Sequence, residues 1–228
     1  MNPFLLVVVF TVVCSIIAYL LGSLNFAIIF TKLFNGVDIR TLGSGNAGFT
    51  NVLRSVGKIP AILTLIFDFS KGIISVFIVR LALSMLSVGT FTIGSLFTES
   101  VVPFAEYIVC FFALLGHLFP IYYGFKGGKG ILVTWGCMMA LSPLGALICL
   151  LVFLVGLIAT RYVSVGSIMA ATSFPIVIFI FKAVNGIYFS VEPLIALLIA
   201  TIIVYMHKAN IKRLINHTEN KISIKKVK

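Results

Sequence analysis

Long hydrophobic runs make up most of the chain, and short polar segments separate them. A membrane-spanning helix needs about 20 apolar residues. On that criterion the sequence predicts six long spans, Pro3–Thr31, Pro60–Leu86, Val101–Tyr123, Pro143–Thr160, Val163–Phe181 and Glu192–Met206. A further apolar stretch, 131–141, is too short at about 1.5 Å per residue to cross ~30 Å of hydrocarbon alone. The runs are continuous rather than alternating, which favours helices over a β-barrel.

The distribution of cations predicts how these helices cross the membrane. If 131–141 also crosses, most cations lie in loops on one side, and Lys182 is the one cation in the loops of the other side. The positive-inside rule then places the cation-rich side in the cytoplasm. We therefore predict an all-α integral membrane protein, a bundle of about seven transmembrane helices. Its N-terminus is outside, its C-terminus is cytoplasmic, and residues 1–228 form one domain that ends in a basic tail at about 208–228.

Composition excludes several other classes of protein. Hydrophobic residues make up 61% of the chain and charged residues 10%, which a soluble domain of this size could not accommodate. The net charge of +11 fits positive-inside loops and anionic lipid headgroups, so we expect membrane lipids and no nucleic acid as partners. The four cysteines occur singly within apolar runs, so we predict neither a metal site nor a cofactor.

Four polar islands interrupt the apolar sequence, at residues 43–54, 116–130, 164–167 and 207–213. They combine glycine, small hydroxyls, amides and cations, the groups that bind phosphate in proteins. Six crossings would place the last two islands opposite the first two, whereas seven place all four on one face. This convergence is the main reason to accept 131–141 as a crossing.

The first two islands have the strongest phosphate-binding character. In 43–54, glycine amides can form an anion-binding nest, and Arg54 adds a planar fork suited to phosphate oxygens. In 116–130, Lys126 and Lys129 flank a glycine turn before a helical stretch. This turn is not a nucleotide P-loop, because Ile131 stands where a hydroxyl would hold magnesium.

Ordinary structural roles remain open for each island. The first can be a flexible turn, and the histidine of the second, His117, can bond a backbone carbonyl at the interface. The serines of the third can cap a helix, and the cations of the fourth can contact lipid headgroups. Asp68 and Lys71 lie three residues apart on a predicted helix and can form a neutralising pair or contact the substrate.

Taken in order, the islands resemble the motifs of a known family. The strings GSGNAGFTNVLR, GHLFPIYYGFKGGKG, RYVSVGSI and HKANIKRL are similar to those of the bacterial acyl-phosphate:glycerol-3-phosphate acyltransferases (PlsY), and they extend from Gly43 to Leu214. The resemblance implies a seven-helix bundle in the bacterial inner membrane with a cytoplasm-facing site. It also implies transfer of an acyl group from long-chain acyl phosphate to the 1-hydroxyl of glycerol 3-phosphate, which releases lysophosphatidic acid and phosphate in the first step of phospholipid synthesis.

The resemblance also implies roles for individual residues. Lys126, Arg54, His207 and Ser164 are the expected catalytic residues, with Lys126 between the two phosphates. The residues expected at the acyl-phosphate end are Ser44, Gly45, Asn46, Thr50, Lys126, Gly127, Gly128 and Lys129. Those expected to hold glycerol 3-phosphate are Arg54, Ser164, Ser167, His207 and Asn210. The departing phosphate or, alternatively, His207 would accept the hydroxyl proton.

Three other functions use some of the same features. A transporter of an anionic phosphate-containing solute would need cations and broken helices, but the basic islands gather on one side and no inverted repeat is visible. A CoA-dependent acyltransferase usually has an aspartate four residues after its histidine, and Ile121 occupies that position after His117. A CDP-alcohol phosphotransferase needs several spaced aspartates, and this chain has two.

Overall fold

The computed structural model describes residues 3–85, 101–188 and 190–222, and all its regular elements in these ranges are helical. Three predictions extend outside them: Leu86 at the end of the second span, the loop 87–100, and residues 223–228 of the basic tail. The α-helices are α1 (Pro3–Ser23), α2 (Phe26–Asn35), α3 (Phe49–Ser55), α4 (Lys58–Ser84), α5 (Val101–Leu118), α6 (Ile131–Leu141), α7 (Pro143–Thr160), α8 (Val163–Val184), α9 (Glu192–Met206) and α10 (Lys208–Ile215).

Within the described ranges, five stretches are long and apolar enough to cross a membrane, and α9 with α10 makes a sixth if the pair, bent by 54°, counts as one. The five are Leu5–Asn35, Lys58–Ser84, Val102–Tyr123, Pro143–Thr160 and Val163–Val184. The protein is therefore a multi-pass helical membrane protein. The count of seven crossings depends on α6, whose 11 residues are too few for a full span.

The first predicted span is broken in the structure. Helix α1 ends at Ser23 and α2 begins at Phe26, because Asn25 has extended backbone and its side chain accepts a hydrogen bond of 3.2 Å from the amide of Ile28. The Asn25 amide group also donates to Ala47 O at 3.4 Å. This break connects the first span to the first polar island.

Glycines allow the helices of the bundle to pack closely in pairs. A Cβ at Gly116 of α5 would lie 2.1 Å from Tyr19 O of α1, and one at Gly136 of α6 would lie 2.0 Å from Phe69 O of α4. On α7 and α8, a Cβ at Gly156 would lie 3.0 Å from the Cα of Gly166. A side chain at any of these positions would clash with the neighbouring helix. The close approach of each pair therefore requires glycine, as in other membrane helix pairs.

A small second core attaches the first polar island to the bundle. It is separate from the main core of the spanning helices and consists of Ala27, Ile28, Ile39, Ala47, Val52 and Ala61. These residues come from α2, the loop after it, α3 and α4, so their burial fixes residues 36–57 against two helices. The polar residues of this island thus stand on a packed base.

Candidate functional site

One cavity of about 450 Å³ is lined by residues from all four polar islands. The predicted site residues on its wall are Ser44, Asn46, Thr50, Arg54, Lys129, Ser164, Ser167, His207 and Asn210. The predicted residues that do not line it are Gly45, Lys126, Gly127 and Gly128. The islands, far apart in sequence, thus meet at a single site.

Asn51 organises the first island. Its side-chain amide donates to three backbone carbonyls, at 3.3, 2.9 and 3.1 Å, those of Ile39, Leu42 and Asn46. Its Oδ1 accepts from the amide of Ser44 at 3.0 Å. A Cβ at Gly43, which has φ +54°, would lie 2.4 Å from this same Oδ1, so the turn needs glycine there. Asn51 is buried and shapes the loop that carries Ser44 and Asn46 to the cavity.

The glycines of the second island serve packing in this structure. The amides of Gly127 and Gly128 donate to Leu118 O at 3.0 Å and His117 O at 3.1 Å. A Cβ at Gly127 would lie 2.0 Å from His117 O, and one at Gly128 would lie 2.2 Å from the Nε2 of that histidine. In this structure their N–H groups therefore bind protein carbonyls, whereas the sequence analysis expected these glycines at the acyl-phosphate end.

The two lysines of the second island have different surroundings. Lys126 is exposed, and its backbone carbonyl accepts a hydrogen bond of 3.1 Å from Arg40, which also donates to Tyr123 O at 2.7 Å. Lys129 lines the cavity and hydrogen-bonds Asn210. Burial, assisted by the nearby positive charges of Arg213 and Arg54, lowers the pKa of Lys129 to about 8, although Glu219 opposes this shift.

Glu219 binds three polar side chains at the edge of the cavity. Its carboxylate accepts hydrogen bonds from Ser164 Oγ at 3.0 Å, Asn210 Nδ2 at 2.8 Å and Arg213 Nε at 2.6 Å. Burial disfavours its charge, but these three donors together hold the pKa of Glu219 below its usual value. The carboxylate is therefore ionised at neutral pH, and it orients two of the predicted substrate-binding residues.

Residues 217–222, which we call the C-terminal strap, connect the cavity to distant parts of the chain. Asn220 O accepts a bond of 3.0 Å from Arg54, and the amide of Ile222 donates to Arg161 O at 2.8 Å. Asn220 and Ile222 also line the cavity, as Glu219 does. The strap thus joins α3, the start of α8 and the end of α10 across one edge of the site.

His207 occupies the bend between α9 and α10. Its Nδ1 lies 2.8 Å from Ile203 O, and a carbonyl can only accept, so Nδ1 carries the hydrogen. The other ring nitrogen, Nε2, is then an acceptor in the neutral ring. The side chain is buried and lines the cavity, so this nitrogen is available to accept a hydrogen bond from a ligand's hydroxyl.

A buried ionic cluster borders the same cavity. Lys71 Nζ lies 2.7 Å from Asp68 Oδ1 and 3.0 Å from His117 Nδ1, and it also donates to Gly22 O and Leu24 O. The ion pair suggested by the spacing of Asp68 and Lys71 is therefore present. Asp68 and His117 are both lining residues, so the cluster is part of the cavity wall as well as a structural pair.

The rest of the cavity wall is mostly apolar. Its large side chains belong to α4, α6, α7 and α8 and include Leu65, Leu132, Trp135, Met138, Leu150, Phe153 and Phe174. An apolar wall of this kind can bind a hydrocarbon chain, whereas the cations, amides and hydroxyls of the cavity can bind phosphate. The site is therefore amphiphilic, and among the described residues no group of three or more His, Cys, Asp or Glu could hold a metal.

Sequence reasoning did not single out Asn51, Arg213 or Glu219 as site residues. Asn51 lies inside the first motif but looks like an ordinary loop amide until its four hydrogen bonds with backbone groups are seen. Glu219 gave the clearest available signal, because it is the one acidic residue in the basic segment 208–228. A lone carboxylate among cations indicates an ion pair, although its contact with Ser164 depends on tertiary structure.

Comparison with known proteins gives consistent matches. The family described as glycerol-3-phosphate acyltransferase matches residues 12–217. A glycerol-3-phosphate acyltransferase of Clostridioides difficile is 39% identical over 94% of this chain and 97% of its own length. The protein of that description from Acholeplasma laidlawii is 37% identical over 100% of this chain and 98% of its own.

Two crystal structures of an integral membrane glycerol 3-phosphate acyltransferase, PlsY, are also similar. Its glycerol 3-phosphate form aligns with a TM-score of 0.73 and 36% identity, covering 93% of this chain and 96% of that one. Its lysophosphatidic acid form aligns with a TM-score of 0.71 and 35% identity, covering 93% and 95%.

Proposed function

Because the chain belongs to the glycerol-3-phosphate acyltransferase family, we propose that it moves a fatty acyl group from acyl phosphate to the 1-hydroxyl of glycerol 3-phosphate. The product is lysophosphatidic acid, the substance present in one crystal form of the similar structure. The observation that carries the proposal is the single cavity in which polar residues of four islands meet a long apolar wall. Such a cavity suits one phosphate-bearing polyol and one phosphate that carries a hydrocarbon chain.

The reaction needs little covalent chemistry from the protein. The 1-hydroxyl oxygen forms a bond to the carbonyl carbon of acyl phosphate, and the bond from that carbon to the bridging phosphate oxygen breaks, leaving its electron pair on the phosphate. The hydroxyl proton passes to the departing phosphate. The enzyme's task is to hold two anions close together and stabilise the developing negative charge, which cations and hydrogen-bond donors do.

We assign the residues by their position on the wall. Lys129 is the cation best placed to lie near both phosphates, because it is mostly buried and contacts Asn210 of the fourth island. Ser44, Asn46 and Thr50 hold the acyl-phosphate end, supported by the turn glycines Gly45, Gly127 and Gly128. Arg54, Ser164, Ser167, His207 and Asn210 hold glycerol 3-phosphate.

Lys126 keeps its predicted catalytic role only as a candidate. Its side chain is exposed and outside the cavity wall, so it would have to turn inward when the substrates bind. The location and topology that fit this chemistry are the bacterial inner membrane with the site facing the cytoplasm. We propose seven crossings for the single domain, counting α6, which places the N-terminus outside. Labelling of single cysteines introduced at Lys58 and Lys208 from outside intact cells would contradict this orientation.

The test uses protein purified and reconstituted in liposomes with labelled glycerol 3-phosphate and palmitoyl phosphate. We expect labelled lysophosphatidic acid without CoA or acyl carrier protein, and no product when palmitoyl-CoA is the donor. A His207→Gln variant that keeps turnover at saturating substrate would support phosphate as the proton acceptor. Uptake of labelled solute into the liposomes with no acylated product would overturn the proposal in favour of transport.

A further inference from the structure

Two buried polar side chains on the cavity wall have no hydrogen-bond partner among the described residues. They are Asp68 of α4, neither of whose oxygens accepts a hydrogen bond although Oδ1 lies 2.7 Å from Lys71 Nζ, and Thr134 of α6, whose Oγ1 has none. Asp68 is 1% exposed and Thr134 is 7% exposed, and both line the cavity. Buried polar atoms are nearly always hydrogen-bonded, so two such atoms at one cavity indicate a bound polar group that completes them.

Thr134 differs from most of the other described threonines in the spanning helices, and Thr31 of α2, which also lacks a hydrogen bond, does not line the cavity. Thr64, Thr160 and Thr201 each donate to the carbonyl four residues earlier, at 2.7 or 2.8 Å. This local bond is the usual way for a helical threonine to satisfy its hydroxyl. The hydroxyl of Thr134 does not make it, and so it remains available to the cavity.

Asp68 and Thr134 flank one close contact between α4 and α6. A Cβ at Gly136 would lie 2.0 Å from Phe69 O, and one at Gly72 would lie 2.1 Å from Val133 O. Phe69 follows Asp68 in the chain, and Val133 precedes Thr134. The two helices are therefore locked together beside these side chains, and a ligand between them meets a rigid pair of groups.

Asp68 is also connected to the loop that carries Lys129. Asp68 contacts Lys71, which contacts His117 Nδ1 at 3.0 Å. Gly128 packs against the other side of that imidazole, since a Cβ there would lie 2.2 Å from Nε2. Lys129 is the next residue and lines the cavity. The carboxylate of Asp68 is thus linked through Lys71 and His117 to the loop that carries the proposed phosphate cation.

We propose that Asp68 and Thr134 form the subsite for the 2-hydroxyl of glycerol 3-phosphate, a proposal that rests on the acyltransferase function above. A hydroxyl donates one hydrogen bond and accepts others, which matches a carboxylate oxygen paired with a threonine O–H. The 2-hydroxyl keeps its proton throughout the reaction and can use both. The 1-hydroxyl fits less well, because a donor bonded to one lone pair of its oxygen would make the other lone pair, which must attack the carbonyl carbon, less nucleophilic.

This subsite makes Asp68 and Thr134 specificity-determining residues. They would fix the glycerol backbone so that the 1-hydroxyl, and not its neighbour, reaches the acyl group. A site built to bind a substrate hydroxyl also rejects an analogue that lacks it, because its own polar groups are then left unpaired. The analogue here is 3-hydroxypropyl phosphate, which has the nucleophile and the phosphate but no 2-hydroxyl.

The experiment measures kcat/KM for glycerol 3-phosphate and for 3-hydroxypropyl phosphate, with palmitoyl phosphate as donor. It compares the wild type with Thr134→Val, which removes the hydroxyl at nearly constant shape. The matched control is Thr64→Val, which removes a fully buried threonine hydroxyl of α4 that does not line the cavity. We expect the wild type and Thr64→Val to prefer glycerol 3-phosphate by about 10- to 100-fold.

In Thr134→Val, kcat/KM for glycerol 3-phosphate should fall about tenfold while that for the analogue stays within about twofold, so the preference shrinks. Asp68→Asn should reduce the preference as well and is informative where it folds. An unchanged preference in Thr134→Val, with an active wild type, would overturn the subsite and leave the acyltransferase function standing. No product from the wild type with either acceptor would overturn both.

Discussion

Helix α4 carries two ion pairs that are built differently. Near its far end, Arg80 Nε and Nη2 bind the two carboxylate oxygens of Glu106 at 2.8 and 3.2 Å, and Nη2 also donates to Ala140 O at 3.2 Å. Nine residues earlier, Lys71 has four partners, but neither oxygen of its carboxylate Asp68 accepts a hydrogen bond, and only Oδ1 has the ion-pair contact. The first pair is closed within the protein, and the second is open towards the cavity.

This difference distinguishes a structural ion pair from one with capacity for a ligand. Ionisable groups in membrane segments are rare, and both burial and function can explain them. Neither sequence spacing nor charge separates the two explanations here, because both pairs involve one acid and one base on or beside α4. The number of carboxylate oxygens without a hydrogen bond does separate the two pairs. It predicts that substitutions at the cavity reduce activity, whereas substitutions at the Arg80–Glu106 pair reduce stability.

Removal of Lys129 should have the largest effect on activity and little effect on stability. Lys129→Ala deletes the cation on the cavity wall. Loss of one such electrostatic stabiliser costs about 10²- to 10³-fold in kcat. Steady-state assays with palmitoyl phosphate, together with thermal unfolding in detergent, measure both quantities. Lys126→Ala is the matched control and should lose less than about tenfold, because its side chain is exposed. Equal losses in the two variants would show that Lys126 enters the site.

Disruption of the closed pair should have the opposite result. Arg80→Ala leaves the carboxylate of Glu106, whose side chain is 9% exposed, without its partner. Loss of one partner of a fully buried pair costs 3–5 kcal/mol, and we expect about 2 kcal/mol because the Arg80 side chain is partly exposed. Unfolding of the purified protein tests this, and the double variant Arg80→Ala/Glu106→Gln should regain part of the stability. A large fall in kcat/KM without a change in stability would contradict the assignment.

The smallest expected effect is on the pH dependence of kcat/KM, which tests the charge of Lys129. With the pKa of Lys129 at about 8, its ammonium is present below that pH and is lost above it. The kcat/KM of the wild type, which reports the free enzyme, should therefore decline above about pH 8 by up to tenfold per unit. Lys129→Arg keeps its charge at all these pH values, so its profile should stay flat to about pH 9.5. Parallel declines in both proteins would assign the titration to another group.

Much of the fold follows from the sequence because helices in a membrane are determined by apolar length. The predicted starts at Val101, Pro143, Val163 and Glu192 agree with the structure, and the spacing of Asp68 and Lys71 indicated their pair. The break at Leu24–Asn25 was missed, because the apolar pattern continues through it while one side-chain cap ends the helix. The length of an apolar stretch alone does not reveal such a cap.

The site was less predictable, since it depends on the directions of loop side chains. The sequence analysis gave the catalytic role to Lys126 and only a binding role to Lys129, whereas the structure places Lys129 on the cavity wall and leaves Lys126 exposed. Left-handed backbone at Gly124, Phe125 and Gly130 turns the loop so that Lys129 faces the cavity and Lys126 does not. The contacts of Glu219 join residues 55 and 9 positions apart, a distance over which no local pattern operates.

The C-terminal strap has a consequence for biosynthesis. Arg54, Ser164 and Asn210 emerge from the ribosome in turn, yet the residues that connect them, Glu219 and Asn220, are made after all three. A nascent chain can therefore insert its helices while its reaction centre is still unassembled. Acyl phosphates are reactive, and we expect an enzyme whose site is completed by the strap to begin consuming them only when its own synthesis is nearly finished.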